Sequence, residues 1–250
     1  MTTLKGLIIQ EMDSGESSKS ICAMTAEKGV IRIYVRGGKK SSKNASSTQL
    51  FAYSNLCVEE KKNAKGQISY FLNSSESVKM FYNIRLDAKR LALASYFAEL
   101  LMYSGIESDG CGEVMRLTLN TFYFLNEAKK NMDLLKSVFE FRMLCEIGLR
   151  PELLACSKCM KYEDEKMHFN FMKNNLECDD CCESADSIHD FVMDKTLLYI
   201  VRFIALTEYD RLFSFKISTN YQNKLTEFTE SFVRYHLKSK FKTLEFYKMI

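Results

Sequence analysis

The sequence predicts an α+β protein: a small closed barrel of strands at the amino end, then an α-helical domain with an inserted four-cysteine zinc knuckle. Three observations carry this. Short runs rich in β-branched and aromatic residues crowd the beginning of the chain. From about Val78 the apolar residues recur at helical spacing instead. Five of the nine cysteines fall within the 27 residues from Cys156 to Cys182.

The strand runs are LKGLIIQ, SICAMTAE, GVIRIYVRG, QLFAYSNLCVEE and GQISYFLNSS, divided by Gly, Ser, Asn and Lys clusters. GVIRIYVRG alternates Ile31, Ile33 and Val35 with Arg32, Tyr34 and Arg36, bounded by Gly29 and by Gly37 and Gly38. The helical pattern begins in VKMFYNIRLDAKRLALASYFAELLMYSG, where Leu86, Leu93, Phe97, Leu100 and Leu101 share a stripe and Gly105 stands at the C-cap. GEVMRLTLNTFYFLNE and MDLLKSVFEFRMLCEIG repeat it, and the chain's one proline, Pro151, marks the entry to the cysteine segment. Glu140 and Glu146 are expected on a solvated face. DKTLLYIVRFIALTE and NKLTEFTESFVRYHLKSK resume the helical pattern afterwards.

Charge is unevenly distributed. The net value is only +3, yet no acidic residue occurs from Lys28 through Val58, a segment that holds Lys28, Arg32, Arg36, Lys39, Lys40 and Lys43. Such a stretch is an electrostatic footprint for a polyanion. The cysteine region is the reverse, with Glu152, Glu163, Asp164, Glu165, Glu177, Asp179, Asp180, Glu183 and Asp186 outnumbering its lysines. At the carboxyl end Arg234, Lys238, Lys240, Lys242 and Lys248 face only Glu245. No apolar run is long enough to span a membrane, and the amino terminus lacks a signal-peptide core, so a cytoplasmic location is expected. Thiols stay reduced there, which favours metal ligation over disulfides.

Cys156 and Cys159 form one C-x2-C knuckle, and Cys178 and Cys181 another eighteen residues later. That is the spacing of a tetrahedral four-cysteine zinc site. Cys182 is a fifth thiol, and a C-x3-C knuckle with Cys178 is also acceptable to zinc, so Cys181 is the expected fourth ligand and Cys182 the alternative. Four thiolates fill the coordination sphere, which makes the metal a staple; iron has access to the same donor set. A nucleobase deaminase needs H-x-E and P-C-x-x-C, but here Phe169 and Asn170 follow His168, and Ala155 and Glu177 precede the knuckles. P-loop, G-x-G-x-x-G, G-x-S-x-G and H-E-x-x-H patterns do not occur. The three histidines, His168, His189 and His236, lie apart and read as surface or capping residues, so no catalytic residue is predicted.

Several motifs together resemble the bacterial RecO family of recombination and repair mediators. They are GLIIQEMDSGESSKSICAMTAEKG at the start, the basic loop RGGKKSSKN, ASYFAELL, VFEFRMLCEIGLRPELLACSKC and the closing FVRYHLKSKFKTLEFY. Asn174 and Asn175 stand where that family often has a Gly-Gly turn; Asn tolerates the left-handed backbone such a turn needs. The resemblance implies an OB-fold barrel over residues 1–78, helical parts at 79–151 and 187–250, and a zinc module at 152–186. It also implies a function without bond chemistry: binding single- and double-stranded DNA, annealing complementary strands and, with RecR, loading recombinase onto DNA coated by single-strand binding protein.

OB folds grip single strands through a positive groove and aromatic platforms. The candidate DNA contacts are Arg32, Arg36, Lys39, Lys40, Lys43, Arg234, Lys240 and Lys242; Tyr34, Phe51, Tyr53, Tyr70 and Phe71 are candidate platforms. A zinc-dependent nucleic-acid-modifying enzyme is the alternative. A zinc-stapled transcriptional regulator would need a basic recognition helix beside the knuckle, which is not in the sequence.

Overall fold

The computed structural model describes residues 1–14, 18–36, 44–105, 111–182 and 190–250. They form two compact units, Met1–Lys129 with Phe241–Ile250, and Lys130–Lys240.

In the first unit, β1 (Thr2–Ser14), β2 (Ser18–Thr25), β3 (Gly29–Val35), β4 (Ala52–Lys62) and β5 (Ile68–Met80) close into a barrel in the order β1-β2-β3-β5-β4. Closure between β3 and β5 rests on a short contact, with Ile33 opposite Tyr70 and Tyr34 opposite Phe71. All pairings are antiparallel except β3 with β5, which is parallel. Alternate residues fill the interior, among them Ile8, Ile21, Ile33, Leu56 and Val58, each buried. Gly6 suits this close packing: a Cβ there would lie 3.1 Å from Leu56 Cδ1 and 3.2 Å from Ala23 Cβ, so these neighbours would have to shift by a few tenths of an ångström.

The strand-to-helix transition falls later than the sequence pattern predicts. β5 continues to Met80, which pairs with Ala52, and Val78 is the extra residue of a bulge between Ser77 and Lys79. A 3-10 turn, Tyr82–Leu86, follows, and α1 (Ala88–Tyr103) begins where Asp87 caps it by accepting from the Arg90 N–H at 2.9 Å. Long-range pairing with β4 thus overrides the local helical spacing. α1 packs with α2 (Cys111–Asn126) and α6 (Lys242–Met249). Phe122 gathers Phe51, Phe81 and Phe97 at 5.3, 5.8 and 6.3 Å.

The second unit is built on α3 (Met132–Leu144), whose residues from Leu134 onward are all buried. A helix so enclosed must pair its charges. Lys136 Nζ lies 2.9 Å from Glu140 and 2.8 Å from Glu230, while Arg142 donates to the carbonyls of Ile204 and Thr207 at 2.9 and 2.8 Å and to Glu146 at 2.5 Å. This corrects the expectation of a solvated face: Glu140 is fully buried and Glu146 is paired. After a π turn at Cys145–Leu149, with Gly148 at φ 96°, come β6 (Glu152–Cys156), β7 (Lys166–Asn170), β8 (Asn175–Cys178) and β9 (Asp190–Asp194). These form a sheet in the order β6-β8-β7-β9. Asn174, at φ 55°, makes the left-handed turn between β7 and β8. α4 (Lys195–Leu206) and α5 (Thr219–Leu237) complete the unit.

The basic carboxyl end is not one helix. Lys238 takes a left-handed conformation, φ 49°, with its N–H on Arg234 O at 3.1 Å, and this ends α5. Phe241 then inserts beside Tyr96 and Tyr103 at 5.8 and 5.4 Å before α6 starts.

Candidate nucleic-acid interface and metal centre

Alternation along β3 buries Ile31, Ile33 and Val35 and turns Arg32 and Tyr34 outward, with Arg36 exposed just beyond the strand. The parallel pairing of β3 with β5 sets Tyr34 opposite Phe71. Their rings stack with centroids 5.5 Å apart and an interplanar angle of 29°. Arg36 and Lys61 both lie over the Phe71 ring, at 4.9 and 5.4 Å. Tyr34 is 37% exposed, so the stack presents aromatic surface to solvent. Among the described residues neither Arg32 nor Arg36 has a carboxylate partner; Arg32 reaches only Met12 Sδ, at 4.0 Å. Glu59 is the acidic group on this face, 3.5 Å from Lys61.

Lys28 is differently placed. It pairs with Glu60 at 2.9 Å and lies over Tyr70 at 5.5 Å, and the hydrogen bond to Glu60 holds its ammonium above the ordinary lysine range. Its charge is therefore answered more closely than that of Lys61, whose carboxylate partner lies 3.5 Å away. Of the candidate platforms, Phe51 is buried against Phe122 and offers no face to a base, while Tyr53 and Tyr70 are half-buried. Lys39, Lys40 and Lys43 lie outside the described residues. Arg234 is exposed in the last turn of α5 and Lys240 is exposed beyond it, both in the second unit; Lys242 is exposed at the start of α6 in the first. Lys61 was missed by the sequence reading because it sits in the mixed-charge run EEKK. The period-two alternation of β4, which turns Tyr53, Asn55, Cys57, Glu59 and Lys61 to one face, is the signal that finds it.

The sulfur atoms of Cys156, Cys159, Cys178 and Cys181 all lie within 4.8 Å of one another, and Cys182 is not in that group. Tight turns make the two knuckles: Met160 N–H returns to Cys156 O at 2.9 Å, and the N–H groups of Cys181 and Cys182 both reach Cys178 O, at 3.0 and 2.9 Å. Cys159 and Cys178 sulfurs are 3.6 Å apart. A tetrahedral site with metal–sulfur bonds of ~2.3 Å has sulfur–sulfur edges of ~3.8 Å, so the donor set fits a metal ion. Burial opposes ionisation of Cys156, but N–H groups of Cys159, Cys178 and Lys158 outweigh it and bring the thiol down to about 6. The neighbouring sulfurs, Cys159 first, push Cys181 up to about 12, and burial raises Cys178, so without a metal the cluster favours one thiolate and further protons must leave when an ion binds.

The ribbon is tied down from both sides. Lys158 donates to Cys181 O at 2.8 Å, and Arg202 of α4 donates to the carbonyls of Leu153, Leu154 and Tyr162 at 2.7, 2.9 and 2.6 Å. Asp164 and Asp180 flank Lys161 at 2.7 and 3.2 Å; these hydrogen bonds, Asp164 first, raise the lysine above its ordinary range. His168 turns to Asp179 at 2.8 Å instead of joining the thiols. His236 packs on Phe232 at 4.3 Å, and burial lowers its pKa. His189 lies outside the described residues.

A closed five-stranded barrel with β1 paired to both β2 and β4, and β3 parallel to β5, is an OB-type barrel, here joined to a helical unit carrying a four-cysteine ribbon. The chain belongs to the RecO family: residues 1–81 match the model of recombination protein O, N terminal, and residues 85–245 that of recombination protein O, C terminal. Curated relatives named DNA repair protein RecO include that of Acetivibrio thermocellus, 27% identical over 98% of this chain and 95% of the relative. The protein of that name from Caldicellulosiruptor saccharolyticus is 26% identical over 98% and 97%, and that from Bacillus pumilus 29% over 71% and 67%. Among the described residues no helix is long and apolar enough to cross a membrane.

Proposed function

We propose that this protein is a DNA-binding recombination mediator in DNA repair, acting without bond chemistry. The observation that supports this best is the Tyr34–Phe71 stack with Arg36 and Lys61 over the Phe71 ring. Rings of this kind receive unpaired bases, and the cations screen the adjoining phosphates. Contacts of that type carry no sequence information, so two complementary strands held this way are free to pair. Annealing requires nothing more than the loss of phosphate repulsion. Arg32 and the basic loop with Lys39, Lys40 and Lys43 extend the contact on the barrel, and Arg234, Lys240 and Lys242 are further candidate contacts to single- or double-stranded DNA. RecR and single-strand DNA-binding protein are the expected protein partners in loading a recombinase, and the bacterial cytoplasm, at the nucleoid, is the expected location.

Cys156, Cys159, Cys178 and Cys181 hold a structural zinc ion in this reading. Zinc supplies cross-linking of the two knuckles and no reaction, because four thiolates occupy every position of a tetrahedral ion. The aspartates around Lys161 also make this surface unfavourable for phosphate. The test is annealing of two labelled complementary strands without nucleotide, with the products checked for cleavage and base change. Annealing of intact strands supports the mediator; cut or altered strands support the zinc-dependent enzyme instead.

A further inference from the structure

A second group of cations converges on an aromatic ring of the same barrel unit, and the sequence reading did not single it out. Lys79, at the far end of β5, and Lys129, beyond α2, each place Nζ 4.8 Å from the centroid of the Tyr123 ring. Lys129 also donates to the Tyr123 hydroxyl at 2.6 Å, a bond that holds its ammonium above the ordinary lysine range. Both lysines are exposed, and among the described residues neither has a carboxylate within ion-pair distance. The nearby Glu127 instead accepts from Asn126 Nδ2 at 3.0 Å. Like charges gathered on one ring repel, and an incoming anion would relieve that repulsion.

The location relates this group to the first. Register with β4 places Phe71 opposite Glu59 and Lys79 opposite Tyr53, so two bulges leave Phe71 and Lys79 on one outward face of β5. Eight residues separate them in the sequence, which is at most ~26 Å along a strand. Tyr82, 57% exposed, lies just before Asn83, whose N–H is fixed to Asn126 of α2 at 3.0 Å. Glu76 is the acidic residue of β5 between the two groups. Two cations on the half-buried Tyr123 ring repeat the arrangement of Arg36 and Lys61 on Phe71.

We propose that Lys79, Tyr123 and Lys129 form a second phosphate-backbone subsite for single-stranded nucleic acid, at the opposite end of β5 from Tyr34 and Phe71. This rests on the DNA-binding reading above and extends it: the barrel engages a strand at two separated points. A separation of at most ~26 Å is within reach of the ~4–16 nucleotides an OB fold covers.

The experiment is a salt titration of the full chain with a fluorescent oligothymidylate of about 20 nucleotides. The Lys79→Gln/Lys129→Gln variant is expected to lose ~1.4 from the logarithmic salt slope, so that raising salt from about 50 to 200 mM weakens it ~7-fold less than the wild type. Lys79→Arg/Lys129→Arg keeps the charges and is expected to keep the slope. A wild-type slope in the glutamine variant overturns this subsite alone. A wild-type protein that does not bind the strand overturns the DNA-binding reading itself.

Discussion

The guanidinium carbon of Arg36 stands 4.9 Å from the ring centroid of Phe71, 35 residues later in the sequence. The contact exists because β3 and β5 run parallel, in a register that also stacks Tyr34 on the same ring. A cation held over one ring of a Tyr34–Phe71 stack neutralises the phosphate of a base that stacks on this platform. Phe71→Ala is therefore expected to weaken single-strand binding by ~1–3 kcal/mol with little change in salt dependence. Arg36→Gln is expected to reduce the logarithmic salt slope by ~0.7. Fluorescence anisotropy at several salt concentrations separates the two; a Phe71→Ala variant that binds as tightly as wild type removes the stack from the site.

The metal centre makes a prediction about its fourth corner. Cys181 shares the sulfur cluster and Cys182 stands outside it. Cys181→Ser should abolish stoichiometric metal in elemental analysis, and Cys182→Ser should retain it. Loss of the ion should lower the unfolding midpoint of the second unit, since folding and metal binding are coupled, while leaving barrel-dependent DNA binding in place. The opposite pattern of metal retention would move the ligand to Cys182.

Lys136 tests the buried charge network. Burial alone pushes its pKa down, but Glu140 and Glu230 outweigh this and hold the ammonium above its ordinary value. Lys136→Met leaves Glu140 buried without its cation and is expected to cost ~3–5 kcal/mol in urea unfolding. Lys136→Met/Glu140→Leu should recover most of that. The sign with pH follows from the raised pKa: the stabilisation is complete below the unfolded lysine value and is lost as pH rises through the folded one. A fully stable Lys136→Met protein would show that the network is not needed for folding.

These networks also show where the sequence was legible. Ile31, Ile33 and Val35 alternate with Arg32 and Tyr34, so the inner and outer faces of β3 were readable from period two alone. The paired knuckles were readable because few roles other than metal binding ask for thiols at that spacing. Lys61 carried the same period-two signal, masked by the mixed-charge run EEKK, whereas the Lys79–Tyr123–Lys129 group was not readable because it is assembled by packing between distant segments. Nor was burial of Lys136 and Glu140 readable: four residues apart on a helix they form the same pair on a solvated face as in a core, and only the packing around α3 decides which. The break at Lys238 was not readable either, since an ordinary lysine adopts the left-handed region there.

His236 offers the last test. It lies half-buried on α5 against Phe232 and Tyr235, with its Nε2 buried and without a hydrogen-bond partner, and burial depresses its pKa. A histidine whose folded pKa is lowered binds fewer protons folded than unfolded. Its neutral form therefore supports the fold above the unfolded value of ~6.5, and that support is lost as pH falls through the folded pKa. The urea midpoint is expected to drop between about pH 7.5 and pH 5.5, and His236→Leu should make the drop smaller. An equal drop in both proteins would assign the pH sensitivity to other groups, and with it remove the desolvated imidazole from the account of how α5 is held.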